Sequence, residues 1–240
     1  MMAIGPFWRG FILGCLMIGF PSGVHPIPED TVTASLYGTG TLRCTFPFIN
    51  GLTDLTMIWE KEEEPQKIIV YKLLNGKDDL KEQDPQYRGR VALLTDVSKG
   101  NLDLTLRDVT YEDQGTFHCR AANTKGHGEK KVTFTIDSLQ ASDPTVTLVT
   151  IDGKRRMKCR GSGVYRVPQV QWITARGQDL SHHGVMNVTE PGDGRKLVES
   201  VLDYDVGEDV QVLCHIIEGK LKRSARAVIS DGTHSVKVEL

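Results

Sequence analysis

One arrangement of cysteine and tryptophan occurs twice in this 240-residue chain, and it constrains the fold more than any other sequence feature. The first copy comprises Cys44, Trp59 and Cys119, and the second comprises Cys159, Trp172 and Cys214. The tryptophan follows the first cysteine after 15 residues in one copy and 13 in the other, and the second cysteine follows after another 60 and 42. A fifth cysteine, Cys15, lies in the apolar N-terminal run and is set aside with it. The four cysteines of the repeat allow three disulfide pairings in an oxidising compartment, and the repeat argues for two copies of one architecture.

Apolar residues alternate with polar ones in short runs along both halves of the chain, as expected for strands with one buried face. These runs are Leu42–Phe46, Leu102–Leu106, Val132–Ile136, Val170–Trp172 and Val210–Ile216. The turn-rich segment Asn123–Gly128 is predicted to join two strands as a hairpin. Long helical periodicity is absent, so the sequence predicts an all-β protein. The polar stretch 138–144 is predicted to be a linker that leaves the two halves as largely separate folding units.

The spacing of cysteine and tryptophan resembles that of immunoglobulin sandwiches, in which the tryptophan packs on a disulfide between two sheets. This resemblance implies two immunoglobulin-like β-sandwiches in tandem, V-set and then C-type. It also implies the disulfides Cys44–Cys119 and Cys159–Cys214, with Trp59 and Trp172 in the two cores. The predicted boundaries are 28–137 for the V-set domain, 145–230 for the C-type domain and 231–240 for a C-terminal tail.

The first half carries a V-set motif. Asp113, Gly115, Phe117 and Cys119 match the pattern D-x-G-x-Y-x-C. Phe117 replaces the usual tyrosine, so the tyrosine-corner hydrogen bond is missing. Arg90 stands where V-set domains place the arginine that pairs with this aspartate, and the resemblance therefore implies a structural ion pair between Arg90 and Asp113.

The second half resembles the signature C-x-x-x-G-x-Y-P-x-P-x-V-x-W of C-type domains. The matching residues are Cys159, Gly163, Tyr165, Pro168, Val170, Trp172, Gly177 and Leu180. Two positions depart from the pattern: Arg166 stands where the first proline is usual, and Val212 replaces the usual tyrosine before the last cysteine.

Residues 1–23 are predicted to be a secretory signal peptide. Arg9 supplies a basic start, and the ten apolar residues Phe11–Phe20 that follow are too few to span a bilayer. The leader directs the chain to the secretory pathway, where disulfides form. We therefore expect an extracellular location or the external side of the plasma membrane.

A V-set domain followed by a C-type domain behind a signal peptide resembles the B-seven/butyrophilin family of T-cell costimulatory and coinhibitory ligands. The resemblance implies a ligand that binds a T-cell surface receptor through its V-set domain and regulates T-cell activation and cytokine production, in the coinhibitory direction. The alternative is an immunoglobulin-superfamily adhesion protein that acts by homophilic or matrix contacts. Family members continue into a stalk and a membrane helix, so membrane attachment is expected only through a segment absent from this sequence.

Strand parity predicts one binding face. Trp59 and Cys119 face the core, so their neighbours on the same strands face outward. In a V-set domain these two strands lie side by side, which brings the outward residues together. The predicted receptor-binding residues are Ile58, Glu60, Tyr71, His118 and Arg120. The acidic run Glu60–Glu64 is either a solvated loop or an electrostatic rim for a basic receptor surface.

Composition and motifs exclude several other functions. Lys plus Arg number 29 and Asp plus Glu 31, and the net charge of −2 gives no polyanion-binding signature and argues against a nucleic-acid partner. Neither a Cys-x-x-Cys pair nor a nucleophile-elbow motif is present, so we expect no enzyme activity, catalytic residue, metal, cofactor or small-molecule substrate. His182 and His183 would point to opposite faces of an extended chain and could not chelate one metal together.

One glycosylation sequon is present, Asn187-Val188-Thr189, and in a secreted chain it predicts an N-glycan on Asn187. Such a glycan would keep that surface of the second domain from packing against a partner.

Overall fold

A computed structural model describes residues 29–94, 97–204 and 211–228. The predicted signal peptide, 1–23, and the predicted tail, 231–240, lie outside the described residues. The first half contains strands β1 (Glu29–Leu36), β2 (Thr39–Leu42), β3 (Thr56–Lys61), β4 (Ile68–Leu74), β5 (Lys77–Asp78), β6 (Val91–Leu93), β7 (Leu104–Arg107), β8 (Gly115–Asn123) and β9 (Gly126–Leu139). The second half contains β10 (Thr145–Ile151), β11 (Lys154–Gly163), β12 (Gln169–Thr174), β13 (Gly184–Thr189), β14 (Lys196–Leu202), β15 (Gln211–Glu218) and β16 (Leu221–Val228).

The first half folds into a sandwich of two sheets. One sheet has the order β1-β9-β8-β3-β4-β5, and the other has the order β2-β7-β6. Strand β1 pairs in parallel with β9, whereas β8 pairs antiparallel with both β9 and β3. The hairpin predicted at Asn123–Gly128 joins β8 to β9.

The core of the first sandwich is built around Trp59. This side chain is fully buried on β3 beside its cross-strand partner Cys119, which forms a disulfide with Cys44. The indole nitrogen donates a hydrogen bond of 3.1 Å to the carbonyl oxygen of Leu102, so the one polar atom of the ring is satisfied. Phe117 replaces a tyrosine and fills its buried site with edge-to-face contacts to the rings of Tyr87 and Phe134, with centroids 6.4 and 6.1 Å away.

The second half repeats this plan with a sheet of order β10-β11-β14-β13 and another of order β12-β15-β16. Trp172 is fully buried beside Cys214, which forms a disulfide with Cys159. The indole nitrogen of Trp172 donates to the hydroxyl of Ser200 at 3.0 Å. The prediction of an all-β fold with two sandwiches is confirmed.

The segment between the sandwiches is more structured than a polar linker. Strand β9 runs on to Leu139, whose side chain is buried, and Ala141 forms a bridge with Gly163. Ser142 donates its backbone N–H to the carbonyl oxygen of Ser162 at 2.9 Å. The connection is therefore paired to β11 rather than free.

Polar contacts also join the two sandwiches directly. Tyr37 donates its hydroxyl to Glu218 at 2.8 Å, and Arg166 donates to both carboxylate oxygens of Asp108 at 2.8 and 2.9 Å. The guanidinium of Arg166 also lies over the Tyr37 ring, 4.2 Å from its centroid. Arg166, the residue that departs from the C-type pattern, therefore ties the second sandwich to the first. We call these contacts among Tyr37, Glu218, Arg166 and Asp108 the interdomain junction.

Candidate functional site

The outward surface of β9, β8, β3 and β4, which we call the front face, contains most of the predicted site. Burial along β3 alternates as the sequence predicts: Met57 and Trp59 are buried, and Ile58 and Glu60 are partly exposed. The ladders place Ile58 opposite Arg120 on β8 and opposite Lys72 on β4. An apolar side chain thus lies between two cations on an open sheet.

Charged side chains form a continuous network across the front face. Arg120 pairs with Glu60, and its Nε lies 3.8 Å from Glu129 on β9. The ring nitrogens of His118 lie 2.9 Å from Glu129 and 2.5 Å from Glu62. The hydrogen bond from His118 is the largest influence on Glu62 and lowers the pKa of its carboxyl, since it stabilises the charged form.

His118 differs from the prediction because it points outward and yet is buried. Only 3% of the residue is exposed, since Glu62 and Glu129 close over the ring from both sides. Both contacts can be hydrogen bonds donated by the ring only when both nitrogens carry a proton. His118 therefore positions two carboxylates of the front face and presents almost no surface to a partner.

Tyr71 is a second correction, because it lies in the core with 5% exposure and its hydroxyl donates to Asp78. The cause is a β-bulge. Trp59 pairs with Tyr71, but the next pair is Glu60 with Ile69, so Val70 is an extra residue on β4. Simple alternation fails across a bulge, and Lys72 and Ile69 take the outward positions instead. Burial, followed by the hydrogen bond to Asp78, raises the pKa of the Tyr71 hydroxyl.

The acidic run Glu60–Glu64 is not a uniform solvated loop. Lys61 is 3% exposed, pairs with Glu63 and donates to the carbonyl oxygen of Glu112 at 2.6 Å. Glu62, the first residue after β3, contacts the His118 ring. The run therefore anchors the end of β3, and Glu60 and Glu62 supply negative charge to the front face.

A shallow groove of about 330 Å³ crosses the front face between β3 and the β8–β9 hairpin. Its lining includes Ile58, Arg120, Ala122, His127 and Glu129. Sequence reasoning missed the last three of these residues. The hairpin register places His127 opposite Ala122 and Glu129 opposite Arg120, so counting outward from the Asn123–Gly128 turn would have found them.

Arg90 and Asp113 form the predicted ion pair at the opposite end of this sheet from the hairpin. The guanidinium contacts both carboxylate oxygens of Asp113, which is fully buried. Asp113 also accepts a hydrogen bond of 2.8 Å from the backbone N–H of Thr110, and Arg90 donates to the carbonyl oxygens of Gln86 and Asp108 at 3.0 and 3.1 Å. The pair fixes the loop that precedes β8, and its role is structural rather than binding.

The remaining predicted sites lie in the second sandwich. Asn187 is exposed on β13, at the edge of its sheet. His182 and His183 lie in a short 3-10 helix, Ser181–His183, with ring centroids 3.9 Å apart. The expectation that they point to opposite faces is wrong because the backbone is helical there. Within residues 29–94, 97–204 and 211–228, no group of three or more His, Cys, Asp or Glu side chains could hold a metal.

Comparisons with known proteins found a matching family model and several similar proteins. The immunoglobulin V-set domain model matches residues 27–137. Human V-set domain-containing T-cell activation inhibitor 1 is 32% identical over 178 residues, which cover 72% of this chain and 62% of the relative. Mouse butyrophilin subfamily 1 member A1 is 28% identical over 155 residues, which cover 64% of this chain and 29% of the relative. The crystal structure of bovine butyrophilin aligns with a TM-score of 0.46 at 23% identity, covering 85% of this chain and 96% of that one.

The fold and the V-set match define an immunoglobulin-domain protein with a V-set domain at its N-terminal side. More particularly, residues 27–137 form an immunoglobulin V-set domain, and the chain is similar to members of the B-seven/butyrophilin family. It spans 62% of the length of the human T-cell activation inhibitor that it matches. Within the described ranges no helix has the length and apolar character needed to cross a bilayer.

Proposed function

We propose that this protein is an extracellular ligand that binds a receptor on T cells through the front face and restrains T-cell activation and cytokine production. The observation that carries the proposal is Ile58, a partly exposed apolar residue flanked by Arg120 and Lys72 beside an open groove. Interfaces commonly combine an apolar centre with a charged rim, and arginine is enriched among the residues that contribute most to affinity.

The direction of the effect is inferred from a relative. The human protein that is 32% identical to this chain is named an inhibitor of T-cell activation. An extracellular location agrees with two buried disulfides, which form and persist in oxidising compartments.

The contacts are proposed to come from Ile58, Glu60 and Arg120, together with His127 and Glu129 of the groove. Full burial of Ile58 could contribute roughly 1.5–3 kcal/mol. Arg120 can offer its planar donors to an acidic group of the receptor once its pairing with Glu60 is exchanged. Such a surface suits a micromolar dissociation constant, which corresponds to a binding free energy of about −8 kcal/mol.

The test is staining of activated T cells by the fluorescent, tetramerised chain, measured by flow cytometry. The double variant Ile58→Asp/Arg120→Ala should lose staining, whereas Thr105→Asp/Arg107→Ala should keep it. The control makes a matched change in charge on β7 of the other sheet, where both residues face away from the core. Circular dichroism verifies that each variant is folded.

Undiminished staining by the folded front-face variant would move the receptor site off this sheet. If the wild-type chain stains no lymphocyte but binds cells that display the chain itself, the adhesion alternative is favoured instead. A reporter of cytokine release in the same T cells tests the direction of the effect separately from binding.

A further inference from the structure

The near-neutral net charge of the chain conceals one strongly basic strand. Five of the seven residues from Lys154 to Arg160 are lysine or arginine, in the order Lys-Arg-Arg-Met-Lys-Cys-Arg. The segment is the first part of β11 in the second sandwich. Short runs rich in lysine and arginine are a recognised feature of surfaces that bind sulfated polysaccharides.

The fold turns this run into a line of cations. Met157 and Cys159 point into the core, so Lys154, Arg156, Lys158 and Arg160 all lie on the outer face of the sheet. Alternate residues of a strand are about 6.7 Å apart, so the four cations extend over roughly 20 Å. The neighbouring strand β10 contributes no charge to this face, because its outward residues are Thr145, Thr147, Val149 and Ile151.

Two carboxylates on β14 and just after it neutralise part of the line. Glu199 lies 2.8 Å from Lys158 and 3.6 Å from Arg160, and Asp203 lies 2.9 Å from Arg156. Lys154 and the adjacent Arg155 are exposed, and neither pairs with a carboxylate of the described residues. The segment Lys154–Arg160 therefore carries five cations beside three carboxylates of the described residues, Glu199, Asp203 and Asp152 of the turn before β11, and its positive charge is in excess.

The predicted glycan leaves the Lys154 end of β11 accessible. Glu199 on β14 pairs with Arg160 on one side and with Asn187 on the other, so these three residues lie in one row across the sheet. Gly184, the first residue of β13, lies in the same row as Met157, because both pair with Leu202. Lys154, Arg155 and Arg156 therefore lie beyond the end of β13. A glycan on Asn187 would cover the Arg160 end and leave the Lys154 end open.

We propose that the outer face of β11 is a second binding site, for a linear sulfated polysaccharide of the glycosaminoglycan class. A straight line of regularly spaced cations on a flat sheet complements a linear chain of sulfate and carboxylate groups, and arginine pairs with such planar or tetrahedral anions through several donors at once. None of the strand residues on this face is aromatic, so it lacks the stacking platforms of single-stranded nucleic-acid sites. The site lies in the second sandwich, away from the front face, and is independent of the proposed receptor.

The test is chromatography of the whole glycosylated chain on immobilised heparin. The wild-type chain should be retained at about 0.15 M salt and elute at higher ionic strength, since the contacts are electrostatic. The double variant Lys154→Glu/Arg156→Glu, which reverses two cations of the outer face at its open end, should elute at distinctly lower salt. The matched control Arg176→Glu/Lys222→Glu has the same change in net charge at two exposed positions away from β11, in the turn after β12 and on β16, and it should elute close to the wild type.

Three results would overturn the proposal. The wild-type chain could pass through the column at about 0.15 M salt. The two variants could shift equally, which would show a response to net charge rather than to this strand. The chain could bind vesicles containing phosphatidylserine while ignoring heparin, which would assign the basic strand to a membrane surface instead.

Discussion

The hydroxyl of Tyr37, the first residue after β1, donates a hydrogen bond of 2.8 Å to Oε1 of Glu218 at the end of β15. Glu218 is buried and also accepts from the backbone N–H groups of Arg166 and Val167, at 3.2 and 3.1 Å. Burial is the main cause, and the hydrogen bond to Glu218 the second, of a rise in the pKa of Tyr37 to about 12. One carboxylate therefore holds a loop of the second sandwich and a tyrosine of the first, which an independent pair of domains would not require.

The first prediction concerns this coupling. Glu218→Ala removes the acceptor shared by Tyr37, Arg166 and Val167 and should reduce the free energy of unfolding by about 1.5–3 kcal/mol. It should also separate the melting of the two sandwiches. Differential scanning calorimetry should show one broad or coupled transition in the wild-type chain and two resolved transitions in the variant. Tyr37→Phe, which loses only one donor, should cause a smaller change, and two independent transitions in the wild type would refute the coupling.

The second prediction concerns the ion pair of the first sandwich. Arg90→Ala leaves the fully buried Asp113 without its cation. The expected loss is at most about 3–5 kcal/mol, and it should fall below that range because the Arg90 side chain is 22% exposed. Adding Asp113→Asn should recover part of the loss, since no buried charge then remains. Urea denaturation of the wild type, both single variants and the double variant gives the coupling energy, and strict additivity would contradict the pairing.

The third prediction concerns pH and His215, a buried residue of β15 that contacts the Ser224 hydroxyl at 2.6 Å. The pKa of His215 is lowered below its ordinary value, mainly because the ring is buried and to a smaller extent because the positive charge of Lys222 is near. The unfolded chain therefore takes up a proton at a higher pH than the folded chain does. The contribution of His215 to stability is fully present above the unfolded pKa of about 6.5 and is lost as the pH falls through the folded value.

Urea midpoints of the wild type should accordingly decrease between about pH 7.5 and about pH 5.5. His215→Gln should flatten this dependence, whereas His127→Gln, a change at an exposed histidine, should leave it as it is. Parallel pH profiles for the wild type and the His215 variant would mean that another group is responsible.

The fourth prediction concerns the sequon on β13. Asn187 is exposed at a sheet edge, next to Val185 and Met186, which are 71% and 44% exposed. We expect an N-glycan there when the chain is secreted, and a glycan would shield these apolar side chains. Treatment with an N-glycosidase should lower the mass of the wild type and leave Asn187→Gln unchanged. The variant should also aggregate more readily, as measured by light scattering, and identical masses before and after treatment would rule the glycan out.

The alternation of apolar residues was enough to predict the faces of β3 and β8, because both strands have regular registers where Ile58 and Arg120 lie. It was not enough for Tyr71, because a bulge inserts one residue into β4 and leaves no mark in the sequence Lys67–Lys72. Nor could it predict the burial of His118. Parity gives the direction of a side chain, whereas burial depends on what covers it, and here the cover comes from Glu62, 56 residues away, and Glu129, 11 residues away.

The interdomain junction could not be predicted from the sequence either, because its partners lie far apart along the chain. Arg166 is conspicuous in the sequence only as a departure from a proline-containing pattern, and its partner Asp108 lies 58 residues earlier. Asp108 has a φ of +50°, a backbone conformation that aspartate tolerates better than most residues but that no sequence pattern reveals. The linker was judged from its polarity, but its backbone groups bond to Ser162 and Gly163 through tertiary pairing.

Strand β9 is the element through which a pulling force would pass from one end of the first sandwich to the other. It is 14 residues long, roughly 46 Å at about 3.3 Å per residue, and it extends without interruption from the groove of the front face to the segment that joins the sandwiches. It is bonded on one side to β8 and on the other to β1. Tension applied at the front face and resisted at the second sandwich would pull along this strand and load its ladders in shear, so that many hydrogen bonds would have to break together. If the front face binds a receptor on another cell, as proposed, force on the V-set domain would not separate its strands one after another.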